Sequence, residues 1–223
     1  MWRVAERHDA RPGYVGCHGR AERYPRSVAV PAFKEWAVIV RALLAGEQIL
    51  DVRKGGLRED GRQFAVRADR CWLYPTFEHQ KPELVKPAYR RWLTDADVPS
   101  ESGRIQIDGW AEIVGAMTIT EPDELAQLDS KLIWTPEYAA SRLGWKARQP
   151  LWVLALRTYQ LETPCVVPYR DAYAGCTSWV DMDGLPDDPT TVPAEPALTD
   201  DTFAARLTLV ENEIGRSFER PGA

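Results

Sequence analysis

No stretch of this chain stays apolar for long. None approaches the roughly 18 residues that a membrane-crossing helix needs, which excludes that architecture. The opening MWRVAERHDARPGYVGCHGR lacks the apolar centre of an export signal, and Glu6, Asp9 and Glu22 sit badly in a transit peptide. Histidine is scarce. Of the three, His8 and His18 fall in the irregular opening, which leaves only His79 in the patterned part of the chain. The four cysteines, Cys17, Cys71, Cys165 and Cys176, form no CxxC pair, so a zinc-finger spacing and a dithiol redox pair are both missing. Without an export signal, reduced thiols and a cytoplasmic setting are expected. Also absent are GxxxxGK(S/T), a strand-linked GxGxxG, GxSxG and HExxH, which removes the P-loop, dinucleotide-binding, hydrolase-elbow and zincin classes. The sequence assigns no metal and leaves any cofactor unknown.

What is present is an ordinary globular composition with many large aromatics. Hydrophobic residues are 44% and charged residues 27% of 223, and nine are tryptophan, enough to build a substantial core. The net charge of −5 is unevenly spread. Residues 1–27 carry 6 basic and 3 acidic side chains, and residues 181–223 carry 3 and 10. Residues 53–91 hold 10 basic against 5 acidic side chains, a local excess of the kind that attracts phosphate.

The pattern predicts a single α+β domain over residues 31–182, with a mixed or antiparallel sheet and several short helices. Residues 1–30, rich in Arg, Gly and Pro without a period, read as a flexible extension. Phe33, Trp36, Ala37, Val40 and Leu44 fall on one helical face, with Pro31 near the first turn and Gly46 as the stop. Short strands are expected at 48–53, 63–66 and 71–74, the last ended by Pro75. Two helical pieces around Pro87 follow, then one or two strands over 104–120 about Gly109. Helices are expected to open at Thr120-Glu121-Pro122 and Thr135-Pro136-Glu137. Leu151–Leu161 is the strongest strand pattern, with edge strands at 165–168 and 177–182. Residues 183–199 have the Pro- and Asp-rich composition of a linker. Residues 200–218 then form an amphipathic helix, whose Phe203, Leu207, Val210 and Ile214 face either docks back or receives a protein partner.

Chemistry-bearing residues gather in two short stretches. Arg53-Lys54-Gly55-Gly56-Leu57-Arg58-Glu59 combines guanidinium and ammonium groups with a Gly turn, which suits an anion; Arg53, Lys54 and Arg58 are the candidate phosphate contacts. Tyr74-Pro75-Thr76-Phe77-Glu78-His79-Gln80 carries the one histidine able to titrate near neutrality. With Glu59 and Glu78 it forms the candidate acid–base set. The letters of a PD-(D/E)xK nuclease occur at Pro122-Asp123 and Asp129-Ser130-Lys131, but both halves fall in one expected helix, where residues two apart diverge.

Those two stretches, together with Lys34-Glu35-Trp36 and Tyr173-Ala174-Gly175-Cys176-Thr177-Ser178-Trp179-Val180, make the chain resemble the bacterial family known as domain of unknown function 1802. The resemblance spans residues 33 to about 182. It brings no catalytic residue with it and implies a setting near DNA restriction or defence. Two functions therefore compete. One is a nucleic-acid-associated binding module using Arg53, Lys54, Arg58 and a neighbouring aromatic. The other is an enzyme on a nucleotide-like or phosphorylated small molecule, using Lys54, Glu59, Glu78 and His79.

Overall fold

The computed structural model describes residues 29–54, 64–77, 80–93, 102–145 and 149–220. They form an α+β domain around one mixed sheet. Its strands are β1 (Ala32–Trp36), β2 (Leu50–Arg53), β3 (Arg70–Thr76), β4 (Arg104–Ile119), β5 (Leu151–Pro168), β6 (Trp179–Val180) and β7 (Ala194–Pro196). The order is β2-β5-β4-β3-β1-β6, with β7 paired to β5. Only β1 and β3 run parallel.

The centre of the sheet is the long β4–β5 pair. Two register shifts, between Ile107 and Gly109 and between Ile113 and Gly115, interrupt its ladder. Such bulges increase local twist, and this sheet curls strongly. Arg53 on β2 reaches Glu35 on β1 at 2.7 Å, although β5, β4 and β3 lie between those strands in the sheet order. The two ends of the sheet therefore face each other.

Among the described residues, four α-helices complete the domain: α1 (Ala37–Leu44), α2 (Pro122–Gln127), α3 (Pro136–Gly144) and α4 (Asp200–Ile214). On one side, α1 buries Val38, Ile39 and Leu43 against Phe33, Leu73, Ile113 and Leu154. On the other, Trp72, Tyr74, Ile105, Ile107 and Trp110 build a second core, in which Trp110 stacks on Tyr159 at 4.0 Å.

Several expectations change. The helix expected from Pro31 is strand β1 as far as Trp36, and helix only from Ala37. Phe33 and Glu35 also satisfy a two-residue period, and pairing to β3 and β6 settles the choice. Pro75 does not end β3, which continues to Thr76. Residues 104–119 make one strand, and the expected edge strand at 165–168 is the end of β5. The described part of 63–66 has no regular structure.

The stretch read as a linker is built into the domain. Pro189–Thr191 is a short 3-10 turn capped by Asp188, and β7 pairs with Tyr159–Leu161. Leu185, Val192 and Ala194 pack on the second core. A proline is tolerated at a sheet edge, which composition alone does not reveal. The face of α4 is also spent internally. Phe203 and Val210 are buried, and Leu207 and Ile214 pack against the same core, so this face docks back on the domain, the first of the two expected alternatives. The expected extension at 1–30 lies almost wholly outside the described residues.

The bulges rest on glycine. A Cβ at Gly109 would collide with the Leu44 side chain and the Tyr159 carbonyl oxygen. One at Gly144 would meet nothing within 4 Å. Gly109→Ala is expected to cost about 1–3 kcal/mol in urea denaturation, as overpacking does. Gly144→Ala should be neutral or stabilising by up to about 1 kcal/mol through helix propensity.

Candidate functional site

A strand turns alternate side chains to opposite faces, so Asp51 and Arg53 share one face of β2. That face points into the curled sheet. Arg53 Nε donates to Asp51 Oδ2 at 2.9 Å. Its Nη2 lies 2.7 Å from Glu35 Oε2 and donates to the Lys34 carbonyl at 2.6 Å. The guanidinium also sits 4.2 Å from the centre of the Phe33 ring. Asp51 is 1% exposed and Glu35 8%, so two carboxyl groups and one cation are held almost without water.

Their charges balance when one carboxyl keeps its proton. Oδ1 of Asp51 is sealed and receives no donor from the described residues, while its carboxyl lies beside that of Glu35. Burial pushes Asp51 well above the usual carboxylate range. Arg53 opposes that rise and Glu35 adds to it. Cys71 lies in the same interior. Burial, and then Asp51, push its thiol up to about 12, so it stays neutral and is no nucleophile.

Above this group sits an aromatic cluster. Trp36 meets Trp134 edge-on at 4.9 Å and stacks with Tyr138 at 5.8 Å. Tyr138 is brought there by α3, whose start is capped by Thr135. Burial raises the Tyr138 phenol above its ordinary value. Lys54 is 3% exposed, and its ammonium donates to the Leu143 carbonyl. Burial and then the Arg142 guanidinium lower its pKa.

Described residues of the other three short motifs meet at or beside Lys34-Glu35-Trp36. Lys34 Nζ donates to the carbonyls of Tyr173 at 2.7 Å and Gly175 at 2.9 Å. Its backbone N–H donates to Ser178 O. Thr76 Oγ1 donates to the Glu35 carbonyl at 3.1 Å. Gln80 Oε1 accepts from the Val38 N–H at 3.0 Å. Arg53 completes the convergence from β2.

The model of the family described as Domain of unknown function (DUF1802) matches residues 32–208. The chain belongs to that family. The match extends beyond residue 182, through β7 and into α4, as the packing of those elements requires. A comparison with curated proteins finds no match.

In this DUF1802 chain the expected phosphate contacts are only partly described. Arg53 and Lys54 turn inward, and their donors are spent on Glu35, Asp51 and backbone carbonyls. Arg58, Glu59, Glu78 and His79 lie outside the described residues. The basic stretch is also extensively paired. Arg67 meets Asp181 at 3.1 Å, Arg70 meets Glu112 at 3.4 Å and Asp188 at 3.7 Å, and Lys86 meets Asp129 at 3.1 Å. Two partners come from the acidic C-terminal segment. Among the described residues, no group of three or more His, Cys, Asp or Glu is arranged to hold a metal ion, and no helix is long and apolar enough to cross a membrane.

Sequence reasoning missed Glu35, Asp51 and Tyr138 as a group. The available signal was Asp-x-Arg within a short strand, which puts opposite charges on one face. Replacing Arg53 with methionine leaves two buried carboxyls facing each other and is expected to cost about 3–5 kcal/mol. Asp51 gives a pH test. Its folded pKa is raised, so the native state binds the proton more tightly than the unfolded chain. Its contribution is complete below the unfolded value of about 3.9 and is lost as pH rises through the folded value. Urea denaturation from pH 4 upward should show Asp51→Asn losing less stability with rising pH than the parent.

Proposed function

We propose that this chain is an enzyme acting on a phosphorylated or nucleotide-like small molecule. Arg58 would supply the anion contact, while Lys54, tied to the Leu143 carbonyl, would fix the strand end beside it. Glu59, Glu78 and His79 would supply the acid–base groups. The buried Glu35–Arg53–Asp51 group is the platform rather than the reacting centre, because Asp51 is closed to any substrate.

One observation supports this reading. Described residues that lie near those positions in sequence, Arg53 before Glu59 and Thr76 and Gln80 on either side of Glu78 and His79, are held by the same few residues of β1 and α1. Arg53 is fixed to Glu35 and Lys34, while Thr76 and Gln80 are fixed to Glu35 and Val38. Holding residues distant in sequence at one strand end is a way to pre-organise neighbouring catalytic groups.

A second reading, a nucleic-acid-associated module in a restriction setting, draws on a different surface. Tyr89 and Trp92 stack at 5.5 Å, with the Arg91 guanidinium 4.4 Å from the Trp92 ring. Both rings are half-buried against the main core while Arg91 is exposed, and cation–aromatic pairs that keep part of a ring in solvent suit stacked bases. The internal pairing of Arg53, Lys54, Arg67 and Arg70 argues against a broad basic face, so this reading ranks second.

The test is a thermal-shift panel of nucleotides and sugar phosphates on the full chain, followed by turnover assays on any hit. A saturating ligand should raise Tm by several degrees, as preferential binding to the folded state requires. Arg58→Ala should abolish the shift. His79→Ala should keep the shift and lose turnover. If no phosphate compound moves Tm, while labelled DNA binds with steep salt dependence that Trp92→Ala weakens, the enzyme reading falls and the second one stands.

A further inference from the structure

Helices α2 and α3 do not close on each other. Between them lies a cleft of about 460 Å³, within the roughly 300–1,000 Å³ typical of small-molecule sites. The opening results from residue size. Ala126 on α2 faces a wall of Ala139, Ala140 and Gly144 on α3, while Leu125 and Leu143 line the cleft with larger apolar surface. Larger side chains at the small positions would have filled the space as the rest of the interior is filled.

We propose that this cleft binds a small, uncharged, apolar molecule. Among the described residues lining it, Asp129 is the only formally charged one, and its carboxylate is already paired with Lys86 at 3.1 Å. An anionic ligand would meet that carboxylate and the acidic first turn of α2, Asp123 and Glu124. A cation would find the nearest carboxylate engaged. Water gains little here, since most of the wall offers it no hydrogen bond. An apolar body removes that surface from water, and Thr120 and Gln149 supply the few polar contacts that orient it.

This site is separate from the motif cluster. Helix α3 stands between them, with Tyr138 packed on Trp36 and Trp134 and with Ala139, Ala140 and Leu143 lining the cleft. The proposal therefore does not depend on the enzyme reading.

The probe is N-phenyl-1-naphthylamine, a neutral apolar fluorophore, titrated into the full chain. Two substitutions fill the cleft without touching the buried core. Ala140→Phe acts at an exposed position, and Gly144→Leu acts where an added side chain meets open space. One saturable site is expected in the parent, at least tenfold weaker in each variant, with thermal unfolding unchanged or raised. The anionic analogue anilinonaphthalene sulfonate should bind at least fivefold more weakly than the neutral probe. Absence of saturable binding, or equal affinity in parent and both folded variants, overturns the proposal. Tighter binding of the anionic probe overturns the ligand class.

Discussion

Arg53 joins the two ends of the sheet. It leaves β2 at one end of the strand order and is held by Glu35 on β1 near the other, with Asp51 completing its coordination. Hydrogen bonding along the strands fixes neighbours, but nothing in a ladder makes a sheet close on itself. Here closure depends on a cation buried between two carboxyls and laid on the Phe33 ring. A charge so enclosed is costly unless fully partnered. The sheet must therefore curl far enough to bring both carboxyls and the Lys34 carbonyl into range. Geometry and electrostatics enforce each other.

The same group accounts for the raised pKa of Asp51. One guanidinium faces two carboxyls in a nearly water-free space, so burial and the neighbouring Glu35 outweigh Arg53 and hold Asp51 well above the usual carboxylate range. The neutral Cys71 thiol and the raised Tyr138 phenol belong to the same low-dielectric environment. The short motifs are fastened beside that interior by Lys34, Thr76 and Gln80.

The C-terminal residues contribute to the fold in a comparable way. Residues 183–199 cover the second core, and β7 extends the sheet beyond β5. Asp200 engages Arg157, and Phe203 and Val210 enter the main core. The acidic bias of this segment is thereby partly neutralised by arginines brought from β3, β5 and the loop before β3.

Local sequence determined what local physics controls. The apolar run at 151–161 had to be a strand. Thr135-Pro136 had to open a helix, because the threonine caps and the proline needs no donor. The α+β class followed from such elements, and the four short motifs marked the segments that converge. Tertiary structure decided the rest. Phe33–Leu44 fits both a two-residue and a 3.6-residue period, and only pairing with β3 and β6 made its first half a strand. The composition of 183–199 resembles a linker, and only an available edge on β5 made it β7. Arg53 and Lys54 read as surface cations because a sequence shows charge but not direction. Glu35, sixteen residues before Asp51, became its neighbour only when the sheet curled.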